Sequence, residues 1–151
     1  MKPAKPAKKA PPASMAHTGL WLVKQEPDSY PWSAFAREGV ASWEGVRNYQ
    51  ARNNLKGMKA GDPVLFYASG DAKRVEGVAT VSKAAFPDPS ADEPGWVAVE
   101  LKPVRALPRP VSLAAIKAVP SLANILLVRN SRLSVMPLPR EAYEAILRMG
   151  A

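Results

Sequence analysis

The feature that most constrains this chain is an irregular series of short strand signals and short helical signals. Apolar and β-branched residues alternate or run together over a few positions, and Gly, Pro or Asp residues bound each run, which is a pattern typical of strands. In the first run, LWLVKQ, alternation places Trp21 and Val23 on one face and Leu20 and Leu22 on the other. The predicted strands are residues 20–25, 41–43, 64–68, 74–83, 96–106 and 132–136.

Helical signals are short and lie between the strands. Ser33 is a suitable N-cap for a helix that Gly39 ends, and Ser112 is a suitable N-cap for a helix at 113–118 that Pro120 limits. The other helical predictions are residues 49–55, a turn near 122–127 and an amphipathic closing helix at 140–149. Strands and helices do not alternate as regular βαβ units, so the sequence predicts an α+β fold around a small β-barrel.

The first residues differ in composition from the rest of the chain. Lys2, Lys5, Lys8 and Lys9 stand among Pro and Ala residues with no acidic residue, so residues 1–18 are predicted to be a disordered tail. Residues 19–151 are predicted to form one domain. The chain has 21 Lys and Arg against 13 Asp and Glu, so about +4 remains outside the tail, which suits weak attraction to phosphates.

Residue types that are rare or absent exclude several kinds of site. The chain has no Cys and one His, His17, so disulfides and thiolate sites are excluded and zinc or triad chemistry has almost nothing to build on. No run is long enough to cross a membrane, and the N-terminus has no apolar signal core. We therefore expect a cytoplasmic protein without a metal, a cofactor or a membrane partner, and a monomer, since nothing requires a dimer.

The segment WEGVRNYQARNNL, residues 43–55, is the strongest candidate for a binding element. It contains one Trp, one Tyr, two Arg, three Asn and one Gln. Trp and Tyr provide flat faces for stacking, Arg provides a planar fork of donors, and Asn and Gln can pair with the edge of a base. Solvated turns and helix ends also use Asn and Arg, but the mixture favours recognition of a nucleobase.

Polar side chains also lie near the ends of three predicted strands. Lys24 lies next to the last residue of the first strand, where solvent exposure and a role in a site are both open. Tyr67 and Ser69 share a face at the end of 64–68, where Tyr67 fits a core position or a stacking position equally well. Arg132 and Ser134 share a face of the last predicted strand, which forms either a solvated face or part of a basic site.

Several segments occur in the order found in the EVE domain family, which belongs to the PUA-like superfamily. These segments are WLVKQEP, WEGVRNYQARNNL, MKAGDPVLFYAS, FPD and RNSRLSVMPL, and the resemblance covers roughly residues 19–149. It implies a PUA-like small β-barrel of about five to six strands with flanking short helices. It also implies a pocket that accepts a modified base from DNA or RNA.

Carried over by motif, the resemblance assigns a set of residues to this pocket. They are Trp21, Lys24, Gln25, Trp43, Asn48, Tyr67, Ser69, Arg132, Leu133 and Ser134. Gln25 stands where family members often have Ser. Ala68 and Gly70 stand where members usually have His and Asn, so two polar groups are missing at that strand end. The resemblance therefore implies that the pocket is kept while its specificity differs.

We expect from these features a non-catalytic reader of a modified base in DNA or RNA. Trp43 or Tyr67 would stack on the base, while Asn48 and Ser69 would read its edge. Arg47, Arg52 and Arg129 are the expected phosphate contacts. Two alternatives stay open: an ASCH-like hydrolase that uses Lys24 and Glu26 as a base and its partner, and a protein-interaction module that uses the basic tail.

Overall fold

The computed structural model describes residues 18–151, and within them it contains one curled sheet of six strands. The order across the sheet is β2-β5-β4-β3-β1-β6. Only β1 and β3 pair in parallel among these neighbours, and all other pairs are antiparallel. The strands are β1 (Trp21–Gln25), β2 (Ala41–Trp43), β3 (Pro63–Ala68), β4 (Arg74–Pro87), β5 (Val97–Ser112) and β6 (Val135–Pro137).

Five short α-helices surround the sheet in the described part of the chain, which confirms the predicted PUA-like α+β fold. A 3₁₀ turn, Pro120–Leu122, precedes the fourth helix. The helices are α1 (Trp32–Glu38), α2 (Tyr49–Gly57), α3 (Leu113–Lys117), α4 (Leu126–Arg129) and α5 (Arg140–Met149). No helix among residues 18–151 is long and apolar enough to cross a membrane. The predicted tail falls on residues 1–17, which lie outside the described residues, and on Thr18.

Strand β1 runs through the middle of the core. Leu20, Trp21, Leu22 and Val23 are all at most 3% exposed, so the alternation predicted for this strand does not separate a buried face from an exposed one. The physical reason is that β3 and β6 flank it and both of its faces are covered. On the face of Val23, the rings of Phe35 and Phe66 stack at 5.6 Å, and the Trp43 ring meets them edge-on.

Strands β4 and β5 are longer than predicted, because their ladder continues through several shifts of register. Val75 pairs with Val111 and Gly77 pairs with Ala106, so residues 107–110 of β5 bulge away from β4. Pro108 and Pro110 lie in this bulge, where the missing N–H of proline costs no ladder hydrogen bond. A period-2 pattern cannot reveal a strand that continues past such a bulge.

Three local predictions were wrong. Helix α1 begins at Trp32 with Pro31 at its N-cap and has no side-chain cap, because the fixed φ of proline is compatible with that position and Ser33 is already helical. The turn predicted near 122–127 divides into the 3₁₀ turn and α4. The predicted strand 132–136 begins only at Val135, because the chain turns where Leu133 N–H donates to Asn130 O at 3.2 Å.

Candidate functional site

A cavity of about 150 Å³ lies at the carboxyl ends of β1 and β3. The parallel pairing places Lys24 beside Tyr67, although 43 positions separate them in the sequence. Residues aligned in a parallel ladder point to the same face of the sheet, so both side chains enter the same space. The residues that line the cavity are Lys24, Tyr67, Ser69, Gly70, Lys73, Leu113, Leu127 and Ser131.

Lys24 is half-buried and holds two parts of the fold together. Its Nζ donates to Ser131 O at 2.9 Å, and its backbone N–H donates to Ser134 O at 2.9 Å. The Nζ lies 5.7 Å from the centroid of the Tyr67 ring. Burial lowers the pKa of Lys24 from its ordinary value of 10.5. An ammonium carries three donors, so two more can point to an acceptor in the cavity.

Tyr67 forms a wall of the cavity. It is 3% exposed, so the ring does not present an open stacking face to solvent, although the residue lines the cavity. Burial raises the pKa of Tyr67, which keeps the phenol protonated and able to donate. Ser69 is half-buried next to it, and its backbone N–H donates to Gln25 O at 2.9 Å.

Two of the departures from the family pattern, Ala68 and Gly70, lie at the end of β3 and in the turn that follows it. Ala68 is buried and follows Tyr67 directly, so its side chain points away from this cavity. Gly70 lines the cavity with φ +67°, and a Cβ there would lie 2.6 Å from Oε1 of Glu26. Asn and Gly are the residues that tolerate such a φ best. Only Gly70 therefore changes the surface of this cavity.

The segment 131–134 borders the cavity as a turn. Arg132 is exposed, Leu133 is 1% exposed and belongs to the core, and Ser134 is half-buried. Arg129 lies in α4 and lines a different cavity of about 400 Å³ beside Pro139 and the start of α5. The structure thus brings the RLS element next to Lys24 as expected, but directs Leu133 into the core.

The other predicted pocket residues do not share this cavity. Trp21 is fully buried, and its indole N–H donates to Oδ2 of Asp62 at 2.9 Å, so it belongs to the core. Gln25 and Trp43 line a second cavity of about 290 Å³ together with Tyr30 and Glu38. Because Gln25 follows Lys24 on β1, it points to the opposite face of the sheet.

Trp43 is packed as a core residue. It is 4% exposed and meets the rings of Tyr30, Phe35 and Phe66 edge-on at 5.9–6.3 Å between centroids. Tyr30 donates its hydroxyl to Oε1 of Glu38 at 2.7 Å. Burial, together with that carboxylate, raises the pKa of Tyr30 to about 12. In this arrangement the Trp43 ring is not accessible as a stacking face.

Asn48 is an exposed residue that caps helix α2. Its side-chain oxygen accepts the N–H of Ala51 at 2.9 Å, so one of its two polar ends is occupied by the helix terminus. Further along the helix, the buried Asn54 donates to Val135 O at 2.7 Å. Helix α2 is thereby tied to β6 and to the segment that borders the Lys24 cavity.

Arg47 is held by Asp88 in front of helix α2. Its guanidinium donates to Oδ2 of Asp88 at 2.9 Å, and the Asp88 side chain is fully buried. Burial alone would raise the pKa of Asp88, but hydrogen bonds from Ser90, from the Gly45 N–H and from Arg47 hold it well below its usual range. The carboxylate therefore stays ionised and fixes the loop that carries Arg47.

Beside Arg47, the rings of Tyr49 and Trp96 stack with centroids 5.1 Å apart and planes 26° apart. The Arg52 guanidinium carbon lies 5.0 Å from the Tyr49 centroid and 5.5 Å from the Trp96 centroid. Sequence reasoning assigned no role to Trp96, Asp88 or Lys73, and it named Tyr49 only as one of the flat rings of the block 43–55, not as a pocket residue. The block 43–55 and the FPD motif contain Tyr49 and Asp88, which was the available signal for both, and nothing local marks Lys73.

No group of three or more His, Cys, Asp or Glu side chains among residues 18–151 is arranged to hold a metal ion. The donor set of the Lys24 cavity consists of ammonium groups, a phenol and hydroxyls. Such a set suits oxygen and nitrogen acceptors on an organic ligand better than a cation.

Comparison with known proteins finds one family model and a set of similar relatives that match most of the chain. The model of the EVE domain matches residues 19–149. Thymocyte nuclear protein 1 from Homo sapiens is 32% identical over 163 residues, covering 85% of this chain and 72% of that protein.

Solved structures agree over the same part of the chain. A crystal structure of a protein from Agrobacterium tumefaciens has a TM-score of 0.86 and 41% identity, covering 87% of this chain and 92% of the other. The crystal structure of human THYN1 in complex with DNA containing 5-methylcytosine has a TM-score of 0.77 and 30% identity, covering 87% and 96%. An ASCH protein from Zymomonas mobilis has a TM-score of 0.54 at 14% identity, covering 88% and 96%, and shows the fold alone.

Proposed function

This chain belongs to the EVE domain family, and from that membership and the geometry of its cavities we propose that it is a non-catalytic reader of a modified base in nucleic acid. The observation that carries the proposal is the cavity at the ends of β1 and β3. It combines a half-buried ammonium, a buried phenol and a hydroxyl in a space of about 150 Å³. The relative solved with 5-methylcytosine DNA supports DNA as the polymer and a methylated base as the ligand.

The size of the cavity favours a single ring. An engineered apolar cavity of about 150 Å³ in another protein holds one benzene molecule, so a pyrimidine is better matched here than a purine. A base that enters must first leave its stack. The methyl group of a modified pyrimidine would then pack against Leu113 or Leu127, which supply the apolar part of the lining.

The polar groups of the cavity can read the edge of such a ring. Lys24 has two donors left after its bond to Ser131 O, and a ring carbonyl is a suitable acceptor for either. The Tyr67 and Ser69 hydroxyls can donate or accept. This differs from the expected arrangement, since the wall beside the base is Tyr67 and Trp43 lies on the other face of the sheet.

Contacts between the protein and the sugar-phosphate backbone of the nucleic acid must supply a large part of the binding affinity. Removing a base from its stack costs a few kcal/mol, and stacking that base on an aromatic side chain of the protein contributes about 1–3 kcal/mol. These two free energies nearly cancel. Lys73, which lines the cavity, and Arg132, which follows the lining residue Ser131, are both exposed and are candidates for a phosphate contact. Arg47, Arg52 and Arg129 lie further along the surface, where they would contact flanking phosphates.

An NMR titration with short oligonucleotides, each carrying one unmodified, methylated or hydroxymethylated base, tests the proposal. We expect chemical-shift changes at Lys24, Tyr67, Ser69 and Ser131 that are larger for a modified pyrimidine than for its unmodified counterpart. Changes centred on Gln25 and Trp43 would move the base to the cavity on the opposite face. No response to any member of the panel would contradict the reader function.

One observation favours the alternative of an enzyme. Lys24 is half-buried with a lowered pKa, which are the properties of a catalytic lysine. Glu26, its expected partner, follows the end of β1 and approaches Gly70. Turnover of a modified nucleoside or oligonucleotide, detected by mass spectrometry and lost in Lys24→Ala, would favour hydrolysis over reading.

A further inference from the structure

The stacked pair of Tyr49 and Trp96 lies on the surface, and neither the cavity nor the core of the sheet explains it. Tyr49 is 66% exposed, more than either of the other two exposed large hydrophobic residues of the described chain, Val40 and Val104. An aromatic ring left in water at the start of a helix gives up most of its burial energy. Its exposure leaves an aromatic surface available to a partner.

The geometry leaves one face of Tyr49 uncovered by its neighbours. Trp96 stacks on one side at 5.1 Å. The Arg52 guanidinium lies about equally far from both rings, at 5.0 and 5.5 Å. On the far side of Tyr49 it would be roughly twice as far from Trp96 as from Tyr49, so Arg52 does not cover the outer face of Tyr49. We propose that the outer face of Tyr49 is a stacking platform for an unpaired base that flanks the modified one.

Hydrogen bonds and ring contacts hold the platform in place. Asp88 anchors the loop before α2 through Arg47 and the Gly45 N–H, at 2.9 and 2.8 Å, and the Arg47 guanidinium lies 5.5 Å from the Trp96 centroid. Asn48 caps the helix that carries Tyr49. Because the loop before α2 and the start of α2 are both anchored, the platform loses little conformational entropy when a base stacks on it.

Helix α2 connects the platform to the Lys24 cavity. From Tyr49 to Asn54 the helix rises about 7.5 Å, and Asn54 bonds to Val135 O, one residue beyond the turn that borders the cavity. In the proposed complex, a nucleic-acid strand with its modified base in the cavity places a neighbouring nucleotide on the platform. In this form the inference rests on the proposed function.

The charges around the platform favour stacking over simple attraction to phosphate. Asp92 and Glu93 line the same open groove of about 350 Å³ as Arg47 and Trp96, so they offset the arginines. Stacking of a base on an aromatic side chain contributes about 1–3 kcal/mol and tolerates any sequence. Tyr49 should thus support binding of modified and unmodified strands alike.

Two single-stranded oligonucleotides of one sequence, with and without a single 5-methylcytosine, test the platform by fluorescence anisotropy. We expect Tyr49→Ala to weaken binding of both by the same factor, about 5- to 150-fold. Tyr49→Phe keeps the ring and should bind as the wild type does. Gln50→Ala, an exposed change on the next residue of α2, is the matched control, and circular dichroism checks that each variant is folded.

Salt dependence separates stacking from charge. Tyr49→Ala should leave the slope of log Kd against log salt unchanged, whereas Arg52→Ala should reduce it by about one unit if it contacts a phosphate.

The remaining outcomes distinguish failure of the Tyr49 platform from failure of the reader function. Affinity of a folded Tyr49→Ala within about twofold of the wild type would overturn the platform and leave the reader function standing. A loss confined to the methylated strand would make Tyr49 part of the modified-base pocket and overturn its flanking role. A wild type without preference for 5-methylcytosine that Tyr49→Ala still weakens would overturn reading of that base and keep the platform. Absence of binding by the wild type would overturn both.

Discussion

Lys24 shows how one residue can serve the fold and the site together. Its backbone N–H joins β1 to the turn before β6, and its Nζ holds the carbonyl of Ser131 in the same turn. Burial works against the charge, since it lowers the pKa of the ammonium, while the carbonyl and the Tyr67 ring favour it. A charged group kept in such a place has donors directed to a ligand at little further desolvation cost.

The first prediction concerns the charge of Lys24. Lys24→Met should weaken binding of a methylated oligonucleotide about 10- to 150-fold, equivalent to one hydrogen bond to a charged group at about 1.5–3 kcal/mol. Lys102→Met, an exposed change on β5, is the control and should have no more than a small effect. Fluorescence anisotropy at constant salt measures both.

The pH dependence gives an independent check of the same group. Because the folded pKa lies below 10.5, more than half of the Lys24 ammonium is lost by the time the pH reaches that value, so wild-type affinity should fall more steeply with rising pH than that of Lys24→Met. Over the same window the unfolded chain binds the proton more tightly than the folded chain. The free energy of unfolding of the wild type should therefore rise relative to that of Lys24→Met. Parallel affinity curves would show that the Lys24 charge is not used.

At the scale of elements, helix α2 explains most of the unusual composition of residues 43–55. Asn48 caps it, Asn54 bonds to β6, and Arg52 and Tyr49 lie along Trp96. The polar residues that suggested base recognition are thus divided between building the helix and forming an exposed surface. The sequence identified the segment, but the role of each residue depended on which side of the helix it occupies.

The second prediction separates capping from base reading at Asn48. Asn48→Ala should lower the free energy of unfolding by about 1 kcal/mol, within the range of about 0.5–2 kcal/mol for a lost N-cap. Asn48→Asp keeps a capping oxygen and removes the amide donors, so its stability should stay close to wild type. Urea denaturation measures both, with the exposed Asn53→Ala as the control.

Binding by the same two variants completes the test. If the Asn48 amide reads a base, both variants should bind an oligonucleotide more weakly. If Asn48 only caps α2, Asn48→Asp should bind more weakly at low salt, because its added negative charge repels phosphates, and should bind as the wild type does at high salt. An unchanged stability of Asn48→Ala would contradict the capping role.

At the scale of the whole molecule, the sheet joins distant parts of the chain. Strand β1 pairs with β3 in parallel and with β6 near the C-terminus, where Trp21 is aligned with Pro137. Helix α1 covers the sheet from one side, and the Trp32 ring lies directly over Gly77 of β4. The core therefore depends on close contacts between segments far apart in sequence, which is also how Lys24 and Tyr67 reach the same cavity.

The third prediction tests one of these contacts. In Gly77→Ala the new Cβ would lie 2.5 Å from Cη2 of Trp32, so the ring must shift and the free energy of unfolding should fall by about 1–3 kcal/mol. Thermal unfolding measures the change. The double variant Gly77→Ala with Trp32→Phe should recover part of the loss, because the smaller ring makes room. If the double variant lost the sum of the free energies of unfolding lost by the two single variants, the contact would be contradicted.

The sequence by itself determined the element types, the α+β class, and the segments that contribute to the site. Lys24, Tyr67 and Ser69, which the sequence singled out as candidates, line one cavity, because each lies in or just after a strand whose alternation is local and readable. Those signals depend on residues a few positions apart, which the chain displays directly.

Only the tertiary structure decided which candidates meet. Gln25 and Trp43 face away from Lys24 and Tyr67, because successive strand residues point to opposite faces and the sheet is covered on both. Trp21 is in the core because two strands flank β1, and Tyr49 stacks on Trp96 because the chain returns after β4. Such pairings depend on the order and direction of strands far apart in sequence, and local periodicity carries no information about them.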